Sequence, residues 1–578
     1  MEVVGSAVVN FGEQARNEAR NPPPRRPPRA IHEHPRGPED LPAPESEAFG
    51  GASTEETSPL GAQLQPLLAS PAPSATFQAL DDNDTVIPPD TDGAAGPNHL
   101  MVALNSQVRI QDRAGATIST VSTDGFWAPV LPAGSAGTTD PHVAYDPFND
   151  RWIFAIVSDF QNANSSVCIA VTQTGDPTGS WNLFRVDADA GNTLWADYPT
   201  LGFDKDWIVV SVNMFTISGN SFSRGGVFAF NKANLYANSS SGSFVFSDPS
   251  IPFTLVPAAT YDNTISTVHM VRHISSAAGT IAKSTLAGSP PGAPTLTIDT
   301  ATITSPSNWA PAPGSFAPQS GSTVRIDVGD SRMQSVAFRN NTIWSAQTIG
   351  LPANKVSHVA VQWWQLDSNP SSSAILQRAR IEDPTATRTN GGKHFAYPSL
   401  AVNANDDMLI GYSRFSSAEF ASAAYSFRAG TDAANTLRDD ALLKAGEGIY
   451  NKTFGGGVNR WGDYSVTSVD PLDDLAFWTI QEYAATPVGT GANSGRWGTW
   501  WGQVSLGAAP PTQTPTMTPT AGPATPHPTI SAVRDIATLR VDLVNRATRR
   551  TIHSLVESLC KREIIPREWA CQDDRGAR

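Results

Sequence analysis

The chain has 578 residues, too many for one ordinary core, so several domains or one repeat architecture is expected. Its net charge of −14 and pI near 5.2 exclude the positive surface that nucleic acid or anionic lipid requires. No run of roughly eighteen apolar residues is present to span a membrane as a helix.

Residues 1–60 carry Pro22, Pro23, Pro24, Pro27 and Pro28 beside Arg25, Arg26 and Arg29, a composition that predicts a disordered leader. The first residues contain four valines, but Glu2, Asn10 and Glu13 interrupt them, so the apolar core of a signal peptide is missing. Residues 76–506 are rich in Gly, Ser, Thr, Trp and Phe and show no long helical periodicity, an all-β composition. Cys168 is the one cysteine in that region, so no disulfide framework holds it.

A strand-turn-strand unit recurs through it. The clearest copy is AYPSLAVNANDDMLIGYSRF, Ala396 to Phe415. There an apolar strand (Ser399 to Val402) and a second strand (Met408 to Ser413) flank an Asn/Asp turn, because those side chains bond their own backbone and tolerate left-handed conformations. In chain order the copies begin near 92, 140, 197, 257, 330, 396 and 463, and the copy from Val256 to His273 is the weakest. Two strands cannot stabilise themselves, whereas radially stacked four-stranded blades bury each other's faces. The expected fold is therefore an all-β propeller of about seven blades, six being the alternative. Arg224 to Phe230, Ser357 to Leu366 and Trp497 to Leu506 would supply outer strands. Residues 507–528, almost all small residues, Thr and Pro, read as an extended linker, and 529–578 as a small helical tail that docks a partner or stands as a small terminal domain.

The unit at Tyr397 to Phe415 resembles the inner hairpin of sialidase-like and BNR-type propellers. The stretches Pro88 to Asp112, Asp140 to Trp152, Arg460 to Pro471 and Gly495 to Gly502 resemble a largely uncharacterised family of bacterial propeller proteins, many of them exported. The resemblance implies fold far more than function, since propellers host binding, scaffolding and catalysis alike. It does not extend to sialidase chemistry: Tyr198 and Tyr397 stand before the strands where an arginine triad would be needed, and no Ser-x-Asp-x-Gly-x-Thr-Trp box occurs.

If the first strand of each unit is innermost, the residues just before it gather at one mouth of a central channel. Asp92, Asp140, Asp197, Asp330 and Asp463 then form a partial ring, with Tyr198, Tyr397 and Tyr464 beside three of them. Asp140, Asp197, Asp330 and Asp463 are the candidate ligands for Ca²⁺, which takes six to eight oxygens. The same carboxylates with Tyr198, Tyr397 and Tyr464 are the candidate ligand-binding set. The competing expectation is that each Asp caps loop amides and each Tyr packs between blades. The turns Asp146 to Asp150, Asn403 to Asp407 and Asp470 to Asp474 read as β-turns rather than calcium loops. Trp363, Trp364, Trp497, Trp500 and Trp501 read as packing between blades rather than as a sugar platform.

These features predict a monomeric, non-enzymatic binding or interaction propeller recognising glycan or protein. It would lie outside the cell, exported without a recognisable signal peptide, a cytoplasmic location being left open. One alternative is a polysaccharide-acting glycoside hydrolase or lyase using the mouth carboxylates. The other is the cargo of a secretion or injection apparatus, loaded through the leader.

Overall fold

A computed structural model describes residues 1–23, 27–31 and 68–507. The chain divides into two units, Met1–Thr512 and Gln513–Arg578. The expected linker beyond residue 507, the helical tail and residues 24–26 and 32–60 of the expected leader lie outside the described residues.

The first unit is an all-β propeller. Its larger sheets are built from antiparallel meanders that begin with an inner strand and step outward, as in the order His394–Val402, Met408–Ser416, Glu419–Arg428, Ala441–Lys444. The first turn of that sheet follows the sequence chemistry: Asn403 Oδ1 accepts the N–H groups of Asn405 at 2.9 Å and Asp407 at 3.0 Å, and Asp406 adopts φ 58°. The segments expected as outer strands fall in Phe222–Asn231, His358–Asp367 and Arg496–Val504.

The inner strands Asp92–Ala95, Thr138–Asp146, Leu194–Phe203, Val256–Pro257, Met333–Arg339, His394–Val402 and Val466–Val469 pack each against the next, and the last returns to the first. The ring is fastened by Ala75–Asp81, which pairs antiparallel with Arg496–Val504 and so completes the C-terminal sheet with an N-terminal strand. One irregularity accounts for the weak repeat at Val256. There the chain makes only two-residue strands, and Ala259–Thr260 runs parallel to both Phe203 and Ala337–Phe338, joining the sheets on either side into one of nine strands.

Tryptophans and aliphatic residues fill the spaces between sheets. Phe126 sits 5.3 Å from Trp127, 5.4 Å from Phe154 and 5.6 Å from Trp181. Trp363, Trp364, Trp497 and Trp501 are fully buried, which agrees with their reading as packing residues. Trp500 lies against Tyr483 at 5.9 Å.

The leader requires a correction. Val3–Asn10 is a strand that pairs antiparallel with Ser180–Asp187 as the fifth strand of its sheet. The helix Phe11–Arg20 follows, capped by Asn10, whose side chain accepts the Glu13 N–H at 2.9 Å. Phe11 is buried 5.8 Å from Phe126, and Glu18 accepts the Ser122 N–H at 2.8 Å. Arg29–Ala30 also pairs with Val86–Ile87. Averaging composition over sixty residues let the proline-rich stretch outweigh an eight-residue strand whose alternate residues face inward.

Candidate functional site

Several inner strands break step at the same place. In Thr138–Asp146 the register slips at Asp140-Pro141, in Leu194–Phe203 at Tyr198-Pro199, and in His394–Val402 at Tyr397-Pro398, two residues opposing one in each case. The residue before proline takes positive φ each time: 61° at Asp140, 49° at Tyr198 and 58° at Tyr397. Proline has no N–H to pair there, and the bulge spares it one. The strained residue is re-aimed toward the end of the channel. Asp140 is thus equivalent to Tyr198 and Tyr397, while Asp197 lies one residue earlier, opposite Asn213. The aspartate alignment read from sequence is out of register by that residue.

The bulges bring most of the expected residues together. The Tyr198 N–H donates to Asp140 Oδ2 at 3.2 Å. Arg332 is clamped by Asp330 through Nε at 2.7 Å and Nη2 at 2.5 Å, and its guanidinium lies 4.2 Å from the Tyr198 ring. Arg460 pairs with Asp463 at 2.5 Å and with Asp327 at 3.7 Å. The Tyr397 hydroxyl donates to the Asp327 carbonyl and the Tyr464 hydroxyl to the Pro141 carbonyl, both at 3.0 Å. All of these side chains are buried. Burial opposes the Arg332 charge, but Asp330 outweighs it and holds the guanidinium above its ordinary pKa. Glu482, also buried, is pushed well up by desolvation and then by Asp90, Asp82 and Asp463.

This end of the channel is therefore a sealed ionic network and not an open carboxylate mouth. Among the described residues no group of three or more His, Cys, Asp or Glu is arranged to hold a metal. Of the expected calcium ligands Asp140, Asp197, Asp330 and Asp463, Asp330 and Asp463 neutralise arginines and Asp140 accepts a backbone N–H. Of the expected ligand-binding set, Tyr464 alone lines the cavity described next.

Inside the ring lies a well of ≈ 320 Å³ to which every inner strand contributes. Apart from Leu194–Phe203 and Met333–Arg339, whose other edges are partly taken by Ala259–Thr260, the inner strands pair with a second strand along one edge only, so their other edge faces the well with backbone donors and acceptors. Thr200, Gln334, Ser335, Ser399, Thr467 and Ser468 add polar groups. At the sealed end sit Asp92 and His142. Asp92 Oδ2 meets His142 Nδ1 at 2.9 Å, and its other oxygen accepts the Val143 N–H at 2.7 Å. The His142 ring lies 4.3 Å from that of Tyr464. Burial raises the Asp92 pKa, the His142 contacts and the Val143 and Gly93 amides opposing it. At the other end are Tyr145, Phe148, Tyr261 and Arg339, which pairs with Asp474. Phe148 is 37% exposed and the Asp474 side chain 47%, so the well reaches solvent past these loop tips. His142 was legible only as one of several scattered histidines. The signal that marks it is its place two residues after the bulged Asp140.

Fold and site together define a propeller with a polar central well, closed at the strand starts. No family model matches the chain, and no curated protein matches it in sequence. Among solved structures it is similar to the phage phi92 endosialidase, with 7% identity, 69% of this chain and 77% of that one covered, and TM-score 0.35. It is also similar to a protein of unknown function from Dyadobacter fermentans, with 10% identity, 63% and 94% covered, and TM-score 0.36. A Hadza microbial sialidase shows 11% identity, 71% and 74% coverage, and TM-score 0.33.

Proposed function

We propose that this chain is a seven-bladed propeller that binds the end of a hydroxyl-rich chain, a glycan, in its central well, without turning it over. The observation that carries the reading is the well itself. At ≈ 320 Å³ it is at the small end of the range for ligand sites. That is room for one or two sugar units and none for a protein surface. Its walls of strand edges and hydroxyls suit a ligand that both donates and accepts hydrogen bonds.

Binding is favoured over hydrolysis by the state of the nearby carboxylates. Glycoside hydrolysis needs two carboxyl groups facing each other across the bond. Here Asp92 is held by His142 and Val143, Asp474 by Arg339, and Asp470 by Arg113 and the Trp478 indole. The blade count is supported by the closed ring of inner strands when the nine-stranded sheet is divided at Ala259–Thr260.

A glycan array followed by an assay for released reducing ends tests this reading. Retention of one glycan class with no release is expected; release of reducing ends, or retention of none, would refute it.

A further inference from the structure

One aromatic side chain at the mouth of the well takes no part in the core. Phe148 is 37% exposed, lines the well, and among the described residues belongs to none of the apolar clusters. Single exposed apolar residues are ordinary on a protein surface. What sets Phe148 apart is how firmly its turn is held. Asp146, fully buried, accepts the Phe148 N–H at 3.0 Å through one oxygen. Through the other it accepts the Asn149 amide at 2.8 Å and the Tyr236 hydroxyl at 2.7 Å, and it pairs with buried Lys232 at 3.1 Å. At the end of the turn the Tyr145 hydroxyl donates to Asp150 Oδ1 at 2.7 Å. A buried ion pair costs desolvation, and here it fixes a tight turn that carries an unpacked ring into the mouth.

The inner strand Asp92–Ala95 packs between Thr138–Asp146 and Val466–Val469, and the turn after it is short, the Gly96 N–H donating to the His99 carbonyl at 2.9 Å. The turns that bear Phe148 and Asp474 therefore flank it, and both residues line the well. Asp474 Oδ2 pairs with Arg339, while Oδ1 has no protein partner among the described residues and belongs to a side chain 47% exposed. Asp473 beside it is exposed and accepts the Leu475 and Ala476 N–H groups, each at 2.9 Å. The mouth thus offers an apolar face, a reachable acceptor and an excess of negative charge on one turn.

A pyranose ring matches such a surface, because its C–H groups form flat apolar faces and its hydroxyls lie round the rim. Resting on the reading that the well takes a hydroxyl-rich chain, we propose that the mouth is a second subsite. Phe148 stacks on the sugar unit that emerges from the well, and Asp474 Oδ1 accepts one of the chain's hydroxyls. The ring adds apolar area at little ordering cost, since its turn is already fixed. The carboxylates of Asp473 and Asp474 disfavour a uronic or sialic acid at this position, because like charges brought together suppress a wrong partner. The chain bound is therefore an uncharged glycan of at least two units, its leading end in the well and a following unit on Phe148.

The test places the full chain, unaltered and as Phe148→Ala, Phe148→Leu and Asp474→Asn, on an array of neutral oligosaccharides and their uronic- and sialic-acid forms. Calorimetry then follows with one retained oligosaccharide cut to one, two and three units. Neutral forms should be retained, and the two-unit form should bind more tightly than the single sugar. Phe148→Ala should lower the two-unit affinity roughly tenfold and leave that of the single sugar unchanged, at an unaltered melting temperature. Phe148→Leu, apolar but not flat, should lose nearly as much. Asp474→Asn keeps an oxygen acceptor without the charge and should admit acidic forms. Equal two-unit affinity in the unaltered protein and in Phe148→Ala, or preferential retention of acidic forms by the unaltered protein, overturns the subsite and leaves glycan binding standing. Retention of no glycan by the unaltered protein overturns the glycan reading and the subsite with it.

Discussion

The guanidinium of Arg332 lies 4.2 Å from the ring of Tyr198 while Asp330 grips its Nε and Nη2. The aspartate and the tyrosine, which sequence places at a ligand mouth, join Arg332 in the plug that closes it. Removing one partner of such a buried pair leaves the other charge uncompensated. Arg332→Ala should cost about 3–5 kcal/mol in denaturant unfolding. Arg332→Met combined with Asp330→Leu should recover part of that loss, because the stranded carboxylate is removed with its partner. Equal losses in the single and double variants would contradict the plug.

The N-terminal strand and helix make a second prediction. Phe11 is fully buried against Phe126, so Phe11→Ala should destabilise the propeller by about 3–5 kcal/mol. A leader with no part in the fold would tolerate the change unaltered. Chemical denaturation measured with the intact chain decides between them.

Acid sensitivity follows from two buried histidines. Burial pushes both His269 and His394 down to about 4. Between that value and the ordinary 6.5 the unfolded chain binds more protons than the folded one, so stability rises with pH across this window and is lost as pH falls through it. His269 stacks flat on Phe338 at 5.0 Å, and His269→Phe should flatten its share of the acid limb in thermal melts between pH 6.5 and 4.

Glu482 works with the opposite sign. Its folded pKa is raised by burial and by Asp90, Asp82 and Asp463 above the usual 4.5. The stability it contributes is therefore full below 4.5 and falls as pH climbs toward the folded value. Glu482→Gln should raise the melting temperature at pH 8 and leave it nearly unchanged at pH 4.5. A variant that melts lower at pH 8 would show the carboxylate to be stabilising.

The hairpin at His394–Val402 and Met408–Ser416 was legible because turn chemistry and alternation are local. The strand Val3–Asn10 was not, because its partner Ser180–Asp187 is remote in sequence and supplies the burial that holds it. The site was half legible. Tyr198, Tyr397 and Asp140 do converge, yet a bulge adds one residue to the strand, and counting from the motif start put Asp197 in the wrong rank. Nor could spacing tell whether the carboxylates would face solvent or arginines, since Arg332 and Arg460 carry no periodic mark. His142 became visible only when the inner strands closed a ring around it.

The central claim is that the well, entered past Phe148, holds the ligand. Calorimetric titration of a glycan retained on the array, into the unaltered protein and into Ser468→Phe, tests it most directly. Ser468 lines the well, and a phenyl group there takes up its space. The account predicts binding to the first and none to the second at unchanged melting temperature. Equal affinity in both would place the ligand elsewhere.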